Sequence, residues 1–125
     1  MLQESPVYAY IPAKDLARAR KFYEEKLGFK PKGEVNGGVV YEFGDHTSCF
    51  MYTTPHAGTS KASQAFWQVN DLEREMELLK SRGLEFLDYD TPEMKTKDGV
   101  FSGGGTKAAW FKDSEGNIMA LIQTF

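Results

Sequence analysis

The feature that most constrains this chain is an internal repeat. Asp15-Leu16 and Asp71-Leu72 stand 56 residues apart, and each opens a helical pattern that stops at a glycine, Gly28 in one case and Gly83 in the other. An N-cap aspartate accepts from the orphan N–H groups of the first turn, and glycine takes the left-handed backbone that ends a helix. Leu16, Ala19, Tyr23 and Leu27 share one helical face, and Leu72, Met76 and Leu79 share another. Strand-like runs surround both helices in the same order. Val7–Ile11 precedes the first, and 29–35, 39–43 and 47–53 follow it. Gln64–Val69 precedes the second, and 84–89, 108–111 and 118–122 follow it.

Repetition of element order at a fixed offset specifies two copies of one supersecondary unit. The expected fold is α+β: two tandem βαβββ units in a single domain over residues 1–125, with unit one at 1–54 and unit two at 64–125. Residues 55–63 are small and polar with Pro55 and Gly58, and read as the linker. In such a unit the helix covers one sheet face, and the other face needs a partner. Two units that curl together form a mixed-sheet cup with helices outside.

The last hairpin is the most legible turn. Two apolar runs, Ala108–Phe111 and Ile118–Ile122, flank Asp113-Ser114-Glu115-Gly116-Asn117. Asp, Ser, Gly and Asn favour turns by bonding to local backbone and by tolerating positive φ. Asn36-Gly37 signals a second hairpin. The stretch 90–105 contains Pro92, Gly99 and three consecutive glycines, and is expected to be a mobile lid or rim with Phe101 as its apolar contact.

Three strings, in order, carry a family resemblance: F-Y at Phe22-Tyr23, L-G-F at Leu27-Gly28-Phe29, and D-S-E-G-N at 113–117. The chain resembles the glyoxalase, bleomycin-resistance and extradiol-dioxygenase superfamily, the vicinal oxygen chelate proteins. In that family the turn reads roughly F-x-D-P-D-G-N, so Ser114 and Glu115 depart from it. The resemblance implies the two-unit cup. In many relatives it also implies a divalent metal held by His, Glu or Gln from the first and last strands of each unit. Those positions fall at Tyr8, near Met51, at Gln64 and at Ala120. Only Gln64 has a ligand-type side chain, so no metal and no cofactor are expected.

Strand alternation then places Tyr10 beside Tyr8, and Phe66 and Gln68 beside Gln64, giving an apolar and aromatic lining with a few amides and hydroxyls. The expected ligand-binding set is Tyr8, Tyr10, Met51, Gln64, Phe66, Gln68, Ala120 and Phe101. The expected function is metal-independent binding of a small apolar or aromatic molecule. The alternative is a glyoxalase-like lyase or isomerase with an atypical or absent metal site, and no catalytic residue is assigned. His46 and His56 have no metal-ligand spacing and sit in a turn and in the linker.

Composition narrows the partners. Net charge is -3 with no basic stripe, which argues against nucleic acid. No apolar run exceeds five residues, far short of a membrane span, and the start lacks the pattern of a signal peptide. One cysteine, Cys49, permits no internal disulfide and is expected to be a buried thiol in a cytoplasmic protein. A homodimer is expected, since small two-unit members of the family often complete the cup with a neighbour.

Overall fold

A computed structural model describes residues 1–124 of the chain; the final residue of the expected second unit lies outside them. The first unit runs β1 (Ala9–Ala13), α1 (Leu16–Lys21), β2 (Pro31–Val35), β3 (Gly38–Glu42) and β4 (Ser48–Thr53). The second runs β5 (Ser63–Gln68), α2 (Leu72–Ser81), β6 (Phe101–Gly103), β7 (Thr106–Lys112) and β8 (Ile118–Thr124). Strand order is β1-β4-β3-β2 in one sheet and β5-β8-β7-β6 in the other. The first strand of each unit pairs in parallel with the last, and the remaining pairs are antiparallel. The two tandem βαβββ units are thus built alike, each around an open mixed sheet.

The repeat extends to the caps. Asp15 Oδ1 accepts from the Arg18 N–H at 3.0 Å, and Asp71 Oδ1 from the Arg74 N–H at 3.2 Å. Past α1 the chain widens into a π-helical turn over Phe22–Lys26 before Gly28, at φ 75°, ends it. Asn36 and Gly37 both take positive φ, the conformation that a two-residue hairpin turn requires.

Side chains alternate, so each sheet has one covered and one open face. Ile11, Ala13, Val39, Tyr41, Cys49 and Met51 of the first sheet share a buried cluster with Ala19 and Tyr23 of the first helix. Ala109, Phe111, Met119 and Leu121 of the second sheet join the same cluster with Leu72 and Met76 of α2. The helix-bearing faces of both sheets thus form one continuous core. The opposite faces carry exposed rings: Tyr10 packs edge-on against Phe50 at 6.1 Å and Tyr52 at 5.0 Å.

The segment after α2 departs from the sequence reading. Leu84–Tyr89 forms no regular strand, and the sheet's fourth strand is β6, inside the stretch expected to be a lid. The Asp88 carboxylate explains the difference. It accepts from the Gly99 N–H and the Thr96 hydroxyl, both at 2.8 Å, and folds 88–100 back on itself. Leu87 N–H then bonds the Trp110 carbonyl at 2.8 Å, tying the segment to β7. No helix among the described residues is long and apolar enough to cross a membrane.

Candidate functional site

β1 and β5 are end strands of their sheets, and residues of both line a cleft of about 840 Å³. Tyr8, Gln64, Phe66 and Gln68, all expected from the sequence, lie on its wall. Period-two alternation puts the three β5 residues on one face, where they stay exposed while Ala65 and Trp67 turn toward the core. Gln68 Nε2 donates to the Thr124 hydroxyl at 3.2 Å, which fixes that amide; no such bond holds Gln64 among the described residues.

The other expected residues sit elsewhere. Tyr10 lies on the open face of β1, 68% exposed, in the aromatic group with Phe50 and Tyr52. Met51 is fully buried in the core, paired with Val39. The strand's period explains this: Phe50 and Tyr52 take the open face, so a placement one residue off turns the side chain inward. Ala120 pairs with Phe66 but is itself buried and does not line the cleft. Phe101 stands on β6 against Trp110, ring centroids 6.5 Å apart, in a separate aromatic group that includes Tyr89.

Sequence reasoning missed Phe43, Asp45 and Trp67, which also line the cleft. Trp67 and Phe43 meet edge to face at 5.7 Å, and both touch Phe29, so their rings bridge the cleft and the core. Trp67 is half-buried and packs on the core, on the opposite side of β5 from Phe66. The cleft opens at the sheet edge, where both faces of an end strand are reachable. Asp45 sits in the Gly44–His46 turn, read from the sequence only as a connection. Neither His46 nor His56 lines the cleft, and both are exposed.

The residues present do not fit a metal centre. Among the described residues no group of three His, Cys, Asp or Glu could hold an ion. At the implied positions Ala120 offers no donor, and Met51 presents a thioether inside the core. Gln64 alone leaves too few of the three or four oxygen and nitrogen ligands such a site needs.

The D-S-E-G-N turn is also a junction between units. Asp113, Glu115 and Asn117 are all buried polar residues. Glu115 Oε1 accepts the N–H groups of Lys14 and Asp15, each at 2.9 Å, at the entry to α1. Asn117 Nδ2 donates to the Pro12 carbonyl at 2.8 Å, and its Oδ1 accepts the Gly58 N–H at 3.0 Å. Gly58 sits at φ 73° directly over the Glu115 carbonyl, where a Cβ would collide, so only glycine passes there. Asp113 accepts the Tyr23 hydroxyl at 2.6 Å, and burial foremost, with the Asp113 charge and this bond, lifts that phenol well above its ordinary pKa. The turn thus holds β1, the linker and the first helix together and places β1 against the cleft.

Two βαβββ units built alike, each around a mixed sheet with its first and last strands parallel, define the fold class. Over residues 6–121 the sequence matches the Glyoxalase/Bleomycin resistance protein/Dioxygenase superfamily, and the chain belongs to that family. Solved structures share the fold at low identity. A glyoxalase/bleomycin resistance protein from Catenulispora acidiphila superposes with TM-score 0.72 and 21% identity, covering 95% of this chain and 97% of its own. TnmS3, an antibiotic binding protein from a Streptomyces species, gives TM-score 0.69 and 20% identity over 97% and 98%. A glyoxalase/bleomycin resistance protein/dioxygenase from Alicyclobacillus acidocaldarius gives 0.71 and 18% over 98% and 92%. No curated protein matches the chain.

Proposed function

We propose that the chain binds a small apolar or aromatic molecule in the cleft between β1 and β5, without a metal ion. The observation that carries this reading is the lining itself: Tyr8, Phe43, Phe66 and Trp67 supply rings, and Gln64 and Gln68 supply amides. Ligand sites pair a largely apolar wall with a few polar groups that set orientation. A volume of about 840 Å³ suits a drug-sized guest. A family neighbour of the same fold is an antibiotic binding protein, which is in keeping with a binding role.

A second copy completes the site in this reading. Tyr8, Tyr10 and Phe66 are 55%, 68% and 57% exposed, an apolar surface that a two-fold partner would cover while closing the cleft. A cytoplasmic setting agrees with the lone buried thiol. Gln64, the one ligand-type residue retained, keeps a lyase or isomerase reading open to test. Mass spectrometry of the protein as purified, under native conditions, tests binding by the copurifying mass that Phe66→Ala should lose. Elemental analysis finding about one metal ion per chain, with activity lost in Gln64→Ala, would favour the enzyme instead.

A further inference from the structure

We propose that the cleft selects a cationic guest: a protonated amine on an apolar or aromatic body, with the ammonium at Asp45 and the body against Phe43, Phe66 and Trp67. The inference rests on the reading of the cleft as a small-molecule site and adds the charge of its occupant.

Among the described residues, Asp45 is the only one of the cleft lining with an acidic or basic side chain of the Asp, Glu, Lys or Arg type. No hydrogen bond or ion pair engages its carboxylate among the described residues, so no neighbouring cation competes for it. The turn that carries it is built at a cost. Asp45 has φ 54° and His46 φ 61°, two successive non-glycine residues in the left-handed region. Such positions persist where the surroundings over-determine them. Here the Thr47 hydroxyl donates to the Gly44 carbonyl at 2.9 Å, and the Phe43 N–H to the Thr47 carbonyl at 2.8 Å. The turn is thereby pinned at both ends, with Asp45 on the same cleft lining as Phe43, Phe66 and Trp67.

The wall favours the same sign. Faces of Phe and Trp attract a cation through the ring quadrupole, and they repel an anion. The Gln64 side chain adds an amide oxygen that accepts an ammonium N–H. An anionic guest would meet the Asp45 carboxylate with nothing positive on the lining to offset it. A neutral guest would gain the apolar contacts alone.

The test is a calorimetric titration of the whole chain with naphthylmethylamine, protonated at neutral pH, and with naphthylmethanol, its neutral isostere. Both are run on wild type, Asp45→Asn and Phe66→Ala. Asparagine keeps the side-chain shape and tolerates the left-handed backbone, so the turn survives the exchange. Wild type should bind the amine roughly three- to tenfold more tightly than the alcohol, the range for a partly solvated ion pair supported by ring faces. The preference should vanish in Asp45→Asn and shrink at high salt, with alcohol binding unchanged. Equal binding of the two probes by wild type, or a preference that survives Asp45→Asn, would overturn the inference. If both probes then weaken equally in Phe66→Ala, the cleft reading stands without the charge. If wild type binds neither probe, the cleft reading falls and this inference falls with it.

Discussion

Arg18 grips Glu115 with both arms of its guanidinium, Nε 2.8 Å from Oε2 and Nη2 2.9 Å from Oε1, joining α1 to the β7–β8 turn. The Glu115 side chain is wholly buried, while that of Arg18 is 53% exposed. The carboxylate also serves the Lys14 and Asp15 N–H groups, so its removal strands donors that were in part sheltered from water. Glu115→Gln should lower stability by about 2–4 kcal/mol, since one amide oxygen cannot replace five charge-assisted bonds, the fifth from the Ser114 hydroxyl. Urea denaturation measures this. A loss below about 0.5 kcal/mol, the usual scatter of a surface substitution, would mean the junction is slack.

The same carboxylate sets an acid limit. Its bond to Arg18, foremost, holds Glu115 down at about 2, below the ordinary value of 4.5. A depressed folded-state pKa adds stability that is fully present above the unfolded value and fades as pH falls through the folded one. Stability should therefore drop between about pH 4.5 and pH 2 by up to roughly 3 kcal/mol from this group. Glu115→Gln should lack that component, which parallel denaturation curves at about pH 6, above the window, and about pH 3, within it, would reveal.

Tyr23→Phe isolates a single buried bond. It leaves the ring stacked on Phe29 and removes only the hydroxyl 2.6 Å from Asp113. Asp113 keeps its bonds from Asn117 and from the Glu115 N–H, so the turn should persist. A cost of about 1.5–3 kcal/mol is expected, the range for a hydrogen bond to a charged group. Thermal unfolding with an unchanged midpoint would contradict it.

Binding should depend on Phe66 more than on Gln64. Removing a ring forfeits both burial and offset stacking, so Phe66→Ala should weaken the copurifying ligand roughly ten- to hundredfold. Gln64→Ala should cost about 0.5–1.5 kcal/mol if the amide only orients the guest. Equal affinity in wild type and Phe66→Ala would place the ligand elsewhere.

Cys49 should be inert toward alkylating reagents near neutral pH. Its thiol is buried and raised to about 11, and the thiolate is the reactive form. Rapid labelling of the folded protein would show that β4 opens readily.

The assembly is checked by light scattering. A dimer of the 14.1 kDa chain is expected at micromolar concentration; a monomer would leave the exposed Tyr8, Tyr10 and Phe66 without the proposed cover.

The fold was legible because its signals are local. Capping aspartates, terminating glycines and Asn36-Gly37 act within a few residues of themselves, and the caps and terminating glycines recur in both units. The site was half legible for the same reason. Alternation along β5 set Gln64, Phe66 and Gln68 on one face, and the strand keeps all three exposed on the cleft wall. It failed at Met51, where a one-residue offset exchanges core for surface. It also missed Phe43 and Asp45, because a turn's direction depends on backbone torsions rather than on period. The strand expected at 84–89 lost to Asp88, whose bonds to Gly99 and Thr96 outweigh a ladder. The buried role of Glu115 left no trace in a motif that reads, residue by residue, as a solvated turn.

The junction at Glu115 also bears on how the protein is made. The N–H groups of Lys14 and Asp15 find their acceptor 101 and 100 positions further along the chain. A nascent first unit leaving the ribosome therefore lacks the anchor for the entry to its own first helix until the β7–β8 turn has emerged. Closing so long a loop costs little extra free energy, because the penalty grows only with the logarithm of its length. The consequence is one of timing. Until the second unit has emerged, the first waits with the core face of its sheet, Ile11, Val39 and Met51, without the partner residues Phe111 and Met119, and that interval is when a chaperone, or a neighbouring nascent chain, has its chance.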